Sequence, residues 1–159
     1  MAIYIKCNEA GMDLIRTSEG LSLKAYFCPA GKRTIGYGHV LLPEERFREV
    51  TKQYAELLLI SDIAKAEAAI NRHLTCMLTS NQHSALVSWV FNFGEGNLKN
   101  SSLLKLLNLR QFDLAAMEFL KWVYSKKEIE ERGEKKVIKV VLPGLVRRRQ
   151  KEKELFLKP

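Results

Sequence analysis

Apolar residues recur every three or four positions through most of this chain, the spacing that lines one face of a helix. The first such stretch runs from about Asn8 to Ser18, with Met12, Leu14 and Ile15 apolar, Asn8 placed to cap and Glu9 in the first turn. Gly20 then offers a left-handed stop. Ser61-Asp62 reads as the start of a helix carrying Ile63, Ala66, Ala69, Ile70 and Leu74. Thr79-Ser80-Asn81-Gln82 is a capping box ahead of Leu86, Trp89, Val90 and Phe93. Gly94-Glu95-Gly96-Asn97 breaks the pattern and Asn100-Ser101-Ser102 caps the next helix. Another helix is expected over about 111–124, and Pro143-Gly144 precedes a last one through Leu155-Phe156-Leu157.

Two segments depart from that period. In 21–40, Tyr26-Phe27 and Thr34-Ile35 are strand formers around the turn chemistry of Pro29-Ala30-Gly31. Gly36 and Gly38 there alternate with Ile35, Tyr37 and His39, which suits a bent or closely approached strand. A small antiparallel sheet of two or three strands is expected. In 125–141, charged and apolar residues alternate on both sides of Arg132-Gly133-Glu134, so an exposed β-hairpin is expected, with a disordered charged loop as the alternative. One helix, a small sheet and about five further helices make an α+β chain. We expect a single domain over 1–159, with a sheet lobe over about 8–60, a larger helical lobe over about 61–159, and a cleft between them.

Composition narrows the function classes. With 47% hydrophobic and 28% charged residues, the chain is neither disordered nor fibrous. No window approaches the ~18 apolar residues of a membrane span, so no stable membrane insertion is expected. Met1–Lys6 lacks the basic start and apolar centre of a signal peptide. The net charge of +8 is uneven: residues 121–159 hold 13 lysines and arginines against 6 acids, so +7 of it lies there. A basic face implies a polyanionic partner, whether nucleic acid, anionic lipid or an acidic wall polymer, unless it only keeps the chain soluble. Cys7, Cys28 and Cys76 form no CxxC and leave a thiol unpaired. His73, Cys76 and His83 lack a fourth ligand at suitable spacing, so no metal site and no cofactor are expected, and His73 and Cys76 read as partly buried helix residues.

Glu19 falls at the junction of the first helix and the sheet. Cys28 follows after eight residues and Thr34 after five more. An acid at a helix end, facing a nucleophile or water-holding group on a hairpin, is a layout that acetal hydrolysis can use. Taken alone the triplet is unspecific, because any chain contains these residues.

The surrounding motifs are specific. Glu19-Gly20-Leu21, Lys24-Ala25-Tyr26, Cys28-Pro29-Ala30-Gly31 and Thr34-Ile35-Gly36-Tyr37-Gly38-His39 resemble the phage-type lysozymes, the endolysins of glycoside hydrolase family twenty-four. Leu78–Gln82, Ala85–Ser88, Phe91–Gly94, Ser101–Leu104 and Leu142–Arg149 extend the resemblance in one register over about residues 8–157. It implies a lysozyme-like fold and a muramidase that cuts the β-1,4 bond between N-acetylmuramic acid and N-acetylglucosamine in peptidoglycan, with inversion and without a cofactor. It also implies Glu19 as general acid, Cys28 where most members carry the second acidic group, and Thr34 helping to hold the attacking water. Phe91 and Ser102 match positions lining the saccharide cleft. His39 matches a structural histidine, with Asp62 as an ion-pair partner. An arginine among Arg147, Arg148 and Arg149 is implied to approach Glu19.

A thiol ordinarily titrates near 8.5, and Lys32 and Arg33 lie across the turn where they could lower Cys28. A Cys7–Cys28 disulfide would block the site, provided the Cα atoms come within about 7 Å. Without a signal-arrest segment, such an enzyme is expected to act as a monomer, accumulating in the host cytoplasm and reaching the wall through a holin. Two alternatives stay open: a catalytically weak wall-binding protein, and a basic helical nucleic-acid-binding protein.

Overall fold

The computed structural model describes residues 5–159; Met1–Tyr4, and with them most of the segment examined for a signal peptide, lie outside the described residues. Helix α1 spans Glu9–Glu19, where Asn8 caps it by accepting from the Gly11 N–H at 3.0 Å. Gly20 ends it at φ +70° and donates to Arg16 O at 2.9 Å. Strands β1 (Ser22–Phe27), β2 (Arg33–Gly36) and β3 (His39–Val40) form the expected antiparallel sheet in that order. Tyr26 pairs with Thr34, and Ile35 with His39.

The long helix α2 runs Lys52–His73, so Ser61 and Asp62 lie in its middle rather than at its start. Thr51 is the true cap, its side chain accepting from Tyr54 N. The apolar run around Leu58 and Leu59 is buried and carries the helix back across that point, so α2 joins the sheet to the remaining helices. Helix α3 (Ser80–Lys99) begins at the Thr79–Gln82 capping box and is interrupted where the pattern breaks, at Gly94, whose non-helical backbone (φ +82°) sets two helical segments at a kink. Next come α4 (Ser102–Asn108), capped by Ser101, and α5 (Phe112–Glu118), followed by a 3₁₀ turn over Phe119–Lys121. The helix expected over 111–124 is thus cut short, tightening into the 3₁₀ turn after Glu118 before Tyr124 begins strand β4. Helix α6 (Pro143–Leu157) takes Pro143 into its first turn, where the missing N–H costs nothing.

Helix α3 is the centre of the molecule and packs against α1, α2 and α6. Ile15, Ile35, Leu59, Ile70, Leu86, Trp89, Leu103, Leu107, Phe119 and Phe156 are all under 3% exposed. Each such side chain contributes on the order of 1.5–3 kcal/mol through burial. Trp89 also meets Trp122 edge to face, with ring centres 4.8 Å apart.

The segment after Trp122 is a β-hairpin, as the alternation implied. Strands β4 (Tyr124–Glu131) and β5 (Glu134–Val141) are antiparallel, and Arg132 and Gly133 form a two-residue turn with φ of +54° and +78°. Two left-handed residues give the turn whose twist matches the strands it joins. No helix among the described residues is long and apolar enough to cross a membrane.

Candidate active site

The geometry of α1 delivers Glu19 to the mouth between the sheet and the helices. Its carboxyl is held from two sides. Arg148 Nη1 donates to Oε1 at 2.7 Å, and Gly38 packs so closely that a Cβ there would stand 2.5 Å from Oε2. Gly38 has φ +73°, so it meets both demands at once, a left-handed turn and no side chain. Glu19 stays 22% exposed, enough to reach a substrate.

Arg148, not Arg147 or Arg149, is therefore the arginine that approaches Glu19. It is itself buried, donating to the Ser88 carbonyl at 3.2 Å, with Nε 3.4 Å from Glu152. Ser88 Oγ donates to Glu152 Oε1 at 2.7 Å, and Arg149 Nη2 donates to that oxygen at the same distance. Arg149 also donates to Asn92 at 2.9 Å and lies over the Phe93 ring. Burial pushes the Glu152 carboxyl up, and the two guanidiniums and Ser88 oppose it. Two of the three arginines in the basic tail are thus interior struts. The positive surface of the last quarter comes instead from the hairpin and from residues such as Arg147, Lys151 and Lys158.

Cys28 and Thr34 come together on the β1–β2 hairpin. Cys28 N–H donates to Lys32 O at 2.9 Å, and the Thr34 hydroxyl donates to the same carbonyl at 3.0 Å. A hydrogen bond from the Lys32 backbone lowers the Cys28 thiol below its ordinary value; partial burial opposes it, while the Ala30 backbone, Thr34 and the Lys32 charge add to it. Arg33 does not take part, because its guanidinium donates to Phe47 O at 3.2 Å.

The Cys7–Cys28 bridge is not formed. All three cysteines are free, and Cys7 packs against Gly11 and Ser84 at the N-terminal end of α1. The hairpin follows the other end of a helix about 16 Å long. Burial pushes the Cys7 thiol up to about 11. Cys76 lies past the end of α2, its thiol donating to Leu107 O at 3.0 Å, while His73 contacts Glu95 at 2.8 Å, so the two share no site.

Phe91 and Ser102 fall in separate depressions. Phe91 lines a cavity of about 400 Å³ with Gly38, His39 and Asp62, and Gly38 is the residue packed against Glu19. Ser102 lines one of about 650 Å³ with Trp122 and the base of the β4–β5 hairpin.

His39 pairs with Asp62 as implied, Nδ1 to Oδ2 at 2.7 Å, but a second carboxylate was missed: Nε2 lies 2.9 Å from Glu45. Glu45 also accepts from the Leu42 N–H three residues earlier, the local signal that could have revealed it. Burial opposes charge on His39, yet the bonds to Glu45 and Asp62 outweigh it and raise the imidazole above its ordinary 6.5. A raised pKa stabilises the fold below about 6.5 and loses that contribution as pH rises through the folded value. Glu45, lowered first by the Leu42 N–H, acts in the opposite sense, contributing above about 4.5 and losing that as pH falls. His39→Gln should therefore cost about 1.5–3 kcal/mol near pH 5.5 and less at pH 8.5, by denaturant unfolding at both values. Equal losses at both pH values would show that the histidine is not held as a cation.

With this geometry in place, comparison with known proteins is informative. Residues 16–152 match the family model described as phage lysozyme. The chain is 42% identical over 150 residues to an endolysin of Acyrthosiphon pisum secondary endosymbiont phage 1, covering 94% of this chain and 96% of that protein. It is 32% identical to the endolysin of Salmonella phage P22, covering 92% and 94%. Among solved structures it is similar to the muramidase domain of SpmX from Asticaccaulis excentricus, with TM-score 0.82, 36% identity and coverage of 97% and 99%. An endolysin from Escherichia coli O157:H7 phage FAHEc1 superposes with TM-score 0.81 at 30% identity, covering 97% and 94%.

Proposed function

The chain belongs to the phage lysozyme family, and from that premise we propose that it is a muramidase that cuts the β-1,4 bond between N-acetylmuramic acid and N-acetylglucosamine, with Glu19 as general acid. It is a peptidoglycan-hydrolysing enzyme of the endolysin type that acts on the cell wall. One observation carries the assignment of Glu19: a partly exposed carboxyl at a helix end, fixed by Arg148 and by Gly38, a residue that also lines the 400 Å³ cavity.

The chemistry follows from that placement. Glu19 gives its proton to the glycosidic oxygen as the bond to the leaving sugar breaks. Water attacks the anomeric carbon from the opposite face, so the configuration inverts. Cys28, whose thiol is lowered by its turn, takes the water's proton as thiolate, and Thr34, its hydroxyl anchored on the Lys32 carbonyl, helps to hold that water. Phe91 and Ser102 contact the saccharide. The enzyme works as a monomer without a cofactor, and a holin gives it access to the wall.

Reducing-end analysis of digested peptidoglycan tests this. New N-acetylmuramic acid ends, first formed as the α anomer, are expected; N-acetylglucosamine ends would overturn the bond assignment and β product would overturn inversion. The thiol at position 28 favours one rival, a weak wall-binding protein. Cys28→Ala should lower lysis about tenfold, whereas Cys28→Asp should stay active and shift the rising limb of the pH profile toward acid, because a carboxylate ionises earlier than a thiol. Wild-type rates in Cys28→Ala would make Cys28 only a packed hairpin residue.

A further inference from the structure

The β1–β2 hairpin has a second face. Directly paired residues project to one side of a sheet and their chain neighbours to the other. Tyr26 is paired with Thr34, so the next pair, Phe27 and Arg33, points away from the side that carries Thr34. On that reverse side Phe27 and Arg33 line a cavity of about 640 Å³ with Leu42, Arg46 and Arg48. Glu45 is the one acid in the lining, and its Oε2 already meets His39 at 2.9 Å and accepts from the Leu42 N–H at 2.8 Å. Arg33 is anchored on the Phe47 carbonyl, while Arg46 and Arg48 have no ion-pair partner among the described residues.

Apolar side chains surround this basic cavity without cover. Phe27 is 75% exposed and Leu42 45%. The surface continues onto α2 through Phe47, whose ring meets Tyr54 edge to face at 5.2 Å. Leu57 and Ile60 follow at three-residue spacing, 62% and 51% exposed. Between Lys52 and Lys65 every exposed residue of α2 is uncharged. Ile60 stands about 200° round the helix from Asp62, so this face looks away from the 400 Å³ cavity that Asp62 lines.

Single apolar residues on a surface are ordinary, but a connected ridge edged with arginines is not. Guanidiniums hold phosphate bidentately, and apolar side chains beside them favour hydrocarbon, a combination that matches the headgroup–acyl boundary of an anionic bilayer. A phosphate polymer in solution offers nothing to Leu57 and Ile60. A second copy of this chain, docked by the same patch, would set arginines against arginines.

We propose that this face docks the protein reversibly on anionic phospholipid, with lipid phosphates in the arginine-lined cavity and Phe27, Leu57 and Ile60 at the headgroup–acyl boundary. The helix lies on the bilayer and does not cross it, and the side of the hairpin that carries Thr34 stays turned away.

The test is co-sedimentation of the full chain with vesicles of phosphatidylglycerol and phosphatidylcholine, set against vesicles of phosphatidylcholine alone. Wild type should bind the anionic vesicles at least about tenfold more tightly at low salt and lose most of that preference at roughly 0.5 M salt. Arg46→Gln with Arg48→Gln should weaken binding about ten- to thirtyfold, and Arg46→Lys with Arg48→Lys should keep most of it. Leu57→Gln with Ile60→Gln leaves the charge unchanged and should weaken binding about tenfold. Lys127→Gln with Lys151→Gln removes the same charge from exposed positions elsewhere and should stay within twofold of wild type. All these side chains are exposed, so each variant should melt as wild type does. Equal weakening by the lysine control would mean diffuse attraction, and an unchanged Leu57–Ile60 variant would mean that phosphate alone is bound. Soluble polyglycerol phosphate that displaced the protein from vesicles at matched phosphate would make a polymer the partner. Each of these overturns the lipid surface, as does equal binding to both vesicles. Binding is read without turnover, so it is judged apart from the muramidase assignment.

Discussion

Glu19→Gln is expected to lower peptidoglycan hydrolysis by at least about 100-fold while the protein stays folded. A positioned general acid contributes typically ~10²–10⁴-fold, and an amide has no proton to give at working pH. The amide keeps the shape of the site. Its carbonyl can still accept from Arg148 Nη1, now 2.7 Å from Oε1, and its other end still fits against Gly38. The contact given up is a partly exposed ion pair, worth about 0–1 kcal/mol, so the thermal midpoint should move only a few degrees. Turbidity loss of a peptidoglycan suspension, read beside a melting curve, separates the two effects. Near wild-type lysis by a folded Gln variant would remove Glu19 from the acid role.

The placement of Glu19 at the end of α1 was legible in the sequence for a local reason. Helix caps, turn glycines and strand formers are short-range signals, and the helix end, the hairpin and the Gly-x-Gly turn all lie within about twenty residues of one another. The β4–β5 hairpin was legible in the same way, from alternation around Arg132-Gly133. What failed was a cap without a ladder behind it. Ser61-Asp62 has the right residue types for a helix start, but Leu58, Leu59 and Ile63 share one buried face, and burial of that face overrides a local cap. Long-range partners were harder still. Arg147, Arg148 and Arg149 are indistinguishable as letters, and only the packing of α6 on α3 turns Arg148 toward Glu19. The basic tail misled for that reason: counted as surface, it included two side chains that end up under 6% exposed. Glu152 is the one signal that could have corrected this, since it stands three and four residues beyond those arginines, within reach on one helix face.

Glu152→Ala should destabilise the fold by about 3–5 kcal/mol, the cost of leaving buried charge without its partner. Glu152 is fully buried, Arg149 is fully buried beside it, and Arg148 is only slightly exposed, so no water replaces the lost carboxylate. Two buried arginines would then lose the carboxylate they share, one of them still needed at Glu19. In a chain of this size the midpoint should fall by roughly 10 °C. Stability and positioning can be pulled apart with Arg149→Met combined with Glu152→Leu. Removing both members of a buried pair and filling the space with apolar atoms is often neutral or stabilising, so the double variant should recover most of the loss. Arg148 would then lack the Glu152 contact that helps to aim it, and activity should stay well below wild type even where the variant is fully folded, with kcat falling more than KM rises. Denaturant unfolding and steady-state hydrolysis on the single and double variants read the two consequences separately. A double variant that regained full activity with its stability would show that Ser88 alone aims Arg148, and that Glu152 serves the core rather than the site.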